Sequence, residues 1–266
     1  MRKQLGQARN KSNALAHLCR AATSNYFLFA DADMALAPGG VEAMVGAVAP
    51  GVGVVTGITT SRGTLFGRLQ GLDWLFGLNV IRVLAHWGLP ASAIGNNMLM
   101  TRAAYESIGG LENLYCDVSK DLQLFCEVVN RGWGFRQLCE SQALGISEAM
   151  PTGEALLQQR KRWMKSAGGL PWYLTALFGL YGVFYAVLFW AGLLPLPVVA
   201  GLCAAKVGLQ TLFLTVTLRQ VGLRERLWLL LLYEVYLGLM PVAVLLHALF
   251  PSSLEWKERR YTLAEA

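Results

Sequence analysis

Asp31-Ala32-Asp33 stands directly after the apolar run Tyr26-Phe27-Leu28-Phe29-Ala30. A run of that length reads as a buried strand, and its end is the edge of a sheet where α/β proteins bind ligands. A period of two would put both carboxylates on one side. A divalent ion held there could bridge to a diphosphate and stabilise the charge on a departing nucleotide. Asp at a turn also has an ordinary reading, as a cap or a solvated loop residue.

Asp121 follows Ser119-Lys120 at the start of a helical pattern. An acidic residue there complements the helix dipole. It could also act as a general base, taking the proton of an acceptor hydroxyl as that oxygen attacks a sugar. In Gln159-Arg160-Lys161-Arg162-Trp163, residues Gln159, Arg162 and Trp163 fall at i, i+3 and i+4, on one helix face. An arginine fork suits a diphosphate, a glutamine can hydrogen-bond beside it, and a tryptophan can pack on a sugar or acceptor. The same stretch reads equally as a membrane-surface helix with snorkelling basic side chains. The two roles are compatible, one on each face.

The elements that must position these residues alternate between strand and helix. Asn13 to Ala22 reads as a helix, Gly39 to Val48 as another, and Val52 to Thr56 as a strand. A long helix follows over Thr64 to Trp87, then a Gly95-Asn96-Asn97 loop and a short strand over Met98 to Met100. A helix from Arg102 stops at Gly109-Gly110. Asp121 to Asn130 is helical, with Leu122, Phe125, Val128 and Val129 at the 3.6 period. Gly153 to Ala167 is a basic amphipathic helix suited to a membrane surface. This alternation predicts an α/β domain.

Beyond residue 170 the character changes. Charged residues are 15% of the 266-residue chain and apolar ones 55%, and the apolar surplus is concentrated from Pro171 to Phe250. Three segments, Trp172–Leu194, Leu196–Leu218 and Leu227–Phe250, are each long enough to span roughly 30 Å of hydrocarbon. Lys206 and Glu234 lie within them, are costly in lipid, and can pair with each other. Pro241 predicts a bend in the third segment. Basic residues precede the first segment, separate the second from the third and follow the third. The positive-inside bias would put all three regions in the cytoplasm, which three full crossings do not allow: either the third segment is bent and crosses incompletely, the favoured reading, or the terminal basic cluster lies on the far side.

The net charge of +6 therefore belongs to membrane flanks and not to a nucleic-acid surface; no nucleic acid is expected. Cys19, Cys116, Cys126, Cys139 and Cys203 form no CxxC pair and no metal-type spacing with the histidines, and read as buried thiols in a reducing compartment.

Taken in order, the Asp-Ala-Asp, the Gly-Asn-Asn loop, Lys120-Asp121, the QxxRW stretch and the apolar segments resemble the membrane-bound family-2 glycosyltransferases. These include ceramide glucosyltransferase and related bacterial enzymes. The resemblance covers most of residues 11–170, and the tail Trp256-Lys257-Glu258-Arg259-Arg260-Tyr261 is similar too. It implies an α/β fold of the GT-A (nucleotide-diphospho-sugar transferase) type, followed by C-terminal transmembrane helices. The domain would occupy residues 1–170 and include the amphipathic helix 153–167. The membrane region would span 171–250, and a basic tail 251–266. The implied activity is inverting transfer of a sugar from a nucleotide-sugar donor, UDP-linked by analogy, to a membrane lipid or lipid-linked acceptor, with Mg2+ or Mn2+. It implies an integral protein of a bacterial inner membrane with its catalytic domain in the cytoplasm.

By position, Asp31 and Asp33 match the metal motif, with Asp31 also at the diphosphate. Asp121 matches the catalytic base. Gln159, Arg162 and Trp163 match QxxRW, and Lys11, in Asn10-Lys11-Ser12-Asn13-Ala14-Leu15, matches a segment near the nucleotide. Gly95, Asn96 and Asn97 become the candidate acceptor loop. Two features depart from the pattern. Lys120 stands where the family more often has Glu, and no residues before Tyr26 can supply the early strands that hold base and ribose. The domain is therefore expected to be N-terminally truncated, and an inactive membrane scaffold is the alternative reading.

Overall fold

The computed structural model describes residues 4–8, 10–114, 120–166, 170–190, 194–249, 254–256 and 259–261. Cys116, Ser119, Ala167 and Lys257, which entered the sequence reading, lie outside the described residues. Helix α1 (Asn10–Ala21) leads into β1 (Tyr26–Ala30), β2 (Met34–Leu36), α2 (Gly40–Gly46), β3 (Val52–Thr56) and β4 (Ile58–Thr60). Helix α3 (Leu65–His86) precedes β5 (Asn97–Thr101), α4 (Arg102–Ser107), α5 (Lys120–Asn130), β6 (Gly134–Gln137) and β7 (Leu144–Ser147). Four helices follow: α6 (Gly153–Ser166), α7 (Trp172–Phe189), α8 (Leu196–Gln220) and α9 (Leu227–Leu249). Strands β8 (Leu254–Trp256) and β9 (Arg259–Tyr261) form a terminal hairpin.

The main sheet runs β1-β5-β3-β6. β5 is antiparallel to both β1 and β3, whereas β3 and β6 are parallel. Alternation along the strands divides its two faces. Phe27, Phe29, Val54, Met98 and Met100 pack into one core with Ala104, Leu124, Phe125 and Val128 of α4 and α5. Val55 and Leu99 turn the other way, onto Met44 of α2. Burial on both faces explains the nearly continuous apolar runs of β1 and β5.

A second sheet, β2-β7-β4, sits where the first ends. β3 continues into β4 through Gly57, whose position leaves no space for a side chain because Asn97 and the Ala143 carbonyl lie against it. Asn97 donates from Nδ2 to the Ala143 carbonyl at 3.0 Å and to that of Ile58 at 3.4 Å, stitching the sheets together.

The apolar helices share a core with the α/β domain. Leu72 and Leu75 of α3 pack in one cluster with Leu156 of α6, Leu174 of α7, Leu214 and Leu218 of α8, and Leu229 and Tyr233 of α9. α3 begins at Thr64, whose hydroxyl accepts from the Gly67 amide at 3.1 Å, and lies across the paired ends of α8 and α9. Among the described residues, two helices, α8 and α9, are long and apolar enough to cross a membrane. The 18-residue α7 is an apolar helix at the lower limit of spanning length. α9 continues as one helix through Pro241, so that residue does not cut the third segment short. Lys206 and Glu234 form the expected ion pair.

Candidate functional site

β1 stops at Ala30, and the Met34 amide donates to the Asp31 carbonyl at 3.0 Å. Residues 31–34 are therefore a tight turn and not extended chain, and the period-two argument for the two carboxylates does not apply to them. Asp33 is exposed, and the Asp31 side chain retains 41% of its exposure. Lys11, on the first turn of α1, forms an ion pair with Asp31. The segment matched to the nucleotide thus does reach the Asp31-Ala32-Asp33 turn.

The antiparallel register between β1 and β5 sets Ala30 opposite Asn97. The Gly95-Asn96-Asn97 loop consequently begins β5 beside the point where Asp31 leaves β1. Asn96 accepts through Oδ1 from the Thr59 hydroxyl at 3.3 Å, and Asn97 binds the two carbonyls named above. Both asparagines are buried, so their amides organise the loop and stay away from solvent. Gly95 lies directly against the carboxylate of Asp121: a Cβ built there would overlap Cγ and both carboxylate oxygens. Asp121 sits in the first turn of α5, whose apolar face is buried in the main core through Leu124, Phe125 and Val128. Lys11, Asp31, Gly95, Asn97 and Asp121 therefore converge at the carboxyl ends of β1 and β3.

The QxxRW residues occupy α6, and the helix is clamped by α3 and α9. The Arg160 guanidinium donates to Asp73 of α3 at 2.5 Å, and the Tyr233 hydroxyl of α9 donates to the other oxygen of the same carboxylate at 3.0 Å. The guanidinium also lies 4.4 Å from the centre of the Trp163 ring, which meets Trp74 of α3 edge-on at 4.9 Å. Gln70 of α3 holds the approach to α6, accepting from the Met150 amide at 2.8 Å and donating to its carbonyl at 3.0 Å. Trp163 is thus packed on α3, with Arg160 stacked on its ring. Gln159 and Arg162 share its helix and are partly buried.

Sequence reasoning missed Asp73 and Tyr233. One signal was present: Asp73 is the sole acidic residue of α3, whose other charged residues, Arg68 and Arg82, are basic. Such a residue is buried only with a partner.

The described cysteines Cys19, Cys126, Cys139 and Cys203 are all unbonded. Burial raises the thiols of Cys19 and Cys126 and pushes that of Cys139 up to about 11. None of these three is poised as a nucleophile. No group of three or more His, Cys, Asp or Glu gathers for a metal ion among the described residues.

No match is found among curated proteins. Among solved structures, a chain described as "Crystal Structure of a Mycobacterial Protein" is similar at 18% identity and a TM-score of 0.34, over 60% of this chain and 53% of that one. The chain thus spans about half the length of that relative. The family model for glycosyl transferase family 21 matches residues 2–266. The order of motifs, the α/β fold and the apolar helices agree with that match, and the chain belongs to glycosyl transferase family 21, a ceramide glucosyltransferase-like family of GT-A type.

Proposed function

We propose that this glycosyltransferase moves a sugar, with inversion, from a nucleotide-sugar donor to a membrane lipid or lipid-linked acceptor at the cytoplasmic face of a membrane. The observation that carries the reading is the contact of Asp121 with the Gly95 backbone, beside the Asp31-Ala32-Asp33 turn. A carboxylate at the edge of the sheet, packed against a glycine whose missing side chain leaves room for it, can receive the proton of an acceptor hydroxyl. The turn one strand away is the place for the departing diphosphate. Lys11 and Arg162 are the cations assigned to phosphate oxygens, and Trp163 and Gln159 belong to the wall where sugar and acceptor meet.

Asp31 and Asp33 offer hard carboxylate oxygens on an accessible turn, with no third His, Cys, Asp or Glu grouped with them among the described residues. That donor set fits Mg2+ or Mn2+, which keep places for water and substrate phosphate. The ion would supply Lewis-acid stabilisation of the leaving diphosphate. Lys11 would then turn from Asp31 towards a phosphate, so its ion pair balances the Asp31 charge between donors. A UDP-linked donor is assigned by family likeness.

The membrane placement is supported by the apolar helices α7, α8 and α9 and by the clamp between α3, α6 and α9, which ties the QxxRW helix to them. An amphipathic acceptor then needs to lift only its headgroup from the bilayer. Membranes bearing the protein, given radiolabelled UDP-sugars and a lipid extract, test the reading. Transfer should fall by on the order of 10²–10⁴-fold in Asp121→Asn while donor binding persists. Transfer at the parent rate in that variant would remove Asp121 as base. No transfer by the parent with any donor would favour an inactive scaffold.

A further inference from the structure

A cavity of about 390 Å³ opens between the turn from β4 to α3 and the turn from α8 to α9, lined in part by Ser61, Arg62, Arg68, Leu72, Leu218 and Arg224. Its charge is one-sided. Arg68 is engaged by Glu225, with Nε to Oε1 at 3.2 Å and a second contact to Oε2. Arg62 and Arg224 are exposed and form no ion pair among the described residues, so two positive charges at the mouth are uncompensated. Ser61 is 4% exposed, yet its hydroxyl has no hydrogen-bond partner among the described residues. A buried hydroxyl without a partner is disfavoured unless something else meets it. The deeper wall, with Leu72 and Leu218, is apolar.

A small anion alone would leave that apolar wall wet, and an apolar ligand alone would leave the arginines and Ser61 unmet. A phosphate joined to a hydrocarbon satisfies both. The surroundings point to the same class of ligand. Leu65, Leu227 and Trp228 stand exposed next to the two turns, and Arg68 lies 6.0 Å from the centre of the Trp228 ring. Exposed tryptophan and leucine beside basic residues are the pattern of a membrane–water boundary.

We propose that this cavity binds the phosphate headgroup of an anionic membrane lipid. Arg62 and Arg224 hold the phosphate oxygens, Ser61 donates its hydroxyl hydrogen to one of them, and Leu72 and Leu218 flank the glycerol and first acyl carbons. The proposal rests on the α8–α9 turn lying at a membrane surface, as in the proposed function, and is independent of which residues transfer the sugar.

Native mass spectrometry on the full chain in detergent, titrated with dioctanoyl phosphatidylglycerol, dioctanoyl phosphatidylcholine or inorganic phosphate, decides it. Phosphatidylglycerol should bind saturably and about tenfold more tightly than phosphatidylcholine. The double variant Arg62→Ala/Arg224→Ala should lose about tenfold or more in affinity, and Ser61→Ala a smaller part. Arg219→Ala/Arg226→Ala, which removes two nearby charges outside the cavity, should stay within about twofold of the parent. Equal loss in both double variants would show diffuse attraction and overturn the site. Unchanged binding in Arg62→Ala/Arg224→Ala would do the same. Inorganic phosphate binding without lipid preference would overturn the lipid as ligand. Release of the parent from membranes by alkaline carbonate would instead defeat the membrane placement, and sugar transfer, measured separately, reports on the catalytic reading.

Discussion

Gly95 is needed for the space it leaves, since a methyl group in its place would meet the Asp121 carboxylate. Gly95→Ala should therefore displace the proposed base while leaving the turn at Asp31 alone. A misplacement on the order of 1 Å at a reacting group can cost about 10²-fold. Transfer should fall by about that much, with nucleotide-sugar affinity unchanged by calorimetry; equal activity would show that Asp121 is not held against the acceptor. Asp31 and Asp33 give a complementary result. With both changed to Asn, donor binding should weaken and lose its dependence on added Mg2+ or Mn2+, and the parent should lose donor affinity in EDTA. Binding that ignores both treatments would remove the metal. Asp31, Asp33 and Asp121 were legible in the sequence because each stands in a short chain-local motif. The meeting of Gly95 with Asp121 was not, because the two are brought together by the packing of α5 against the main sheet. No local spacing encodes that distance. The turn geometry at Asp31 was hidden for a related reason: β2 follows after only three intervening residues, and the strand pattern alone does not reveal so early a reversal.

Most helices were read to within about two residues because they carry their own punctuation, although α1 starts three residues before the expected Asn13 and α7 ends at Phe189 and not at Leu194. Thr64 caps α3, Gly109 and Gly110 end the stretch after α4 with φ of 76° and 73°, and α5 keeps a 3.6-residue apolar period. Strands β2, β4, β6 and β7 were not read. They are only three or four residues long, and Gly134 to Gln137 or Ile58 to Thr60 offer no apolar run. Their existence depends on partners far away in the chain, as with β4 on β7. The same limit hid the clamp between α3, α6 and α9. Asp73 and Arg160 retain 15% and 19% of their side-chain exposure, so their pairing is largely shielded from water. Asp73→Ala leaves the guanidinium and the Tyr233 hydroxyl facing each other without the carboxylate. Breaking one side of a buried pair costs on the order of 3–5 kcal/mol. A clear drop in thermal midpoint in detergent should follow, with partial recovery in Asp73→Glu. A midpoint unchanged in Asp73→Ala would mean that α6 is held by its apolar contacts alone.

At the scale of the whole molecule, the ends of the apolar helices are tied to the α/β domain in a pattern that bears on topology. The Tyr173 hydroxyl near the start of α7 donates to the Pro90 carbonyl at 2.5 Å. Gln220 at the end of α8 accepts from Arg82 and from the Cys139 thiol, each at 3.4 Å. Glu225, before α9, pairs with Arg68. Beyond α9, strand β8 lies beside α6. The connection between α7 and α8 has no such tie among the described contacts. Ties of this kind predict a chain that crosses outwards along α7 and back along α8, with a third apolar helix that leaves and returns on the domain side. α9, at 23 residues, has the length to cross, about 34 Å at about 1.5 Å per residue. Length permits a crossing without requiring one, and Pro241 removes a backbone donor where the helix can bend. Under that prediction the basic residues Arg219, Arg224, Arg226, Arg259 and Arg260 would all lie on one side of the membrane, in keeping with the positive-inside bias. The test is single cysteines in a background whose native cysteines are serine, in sealed vesicles with the cytoplasmic face outward. A membrane-impermeant maleimide should label cysteine at Arg226→Cys and Arg259→Cys, and reach Leu196→Cys only after the vesicles are opened. Protection at position 259 with labelling at 226 would mean that α9 crosses fully, and would carry the basic tail to the far side against the positive-inside bias.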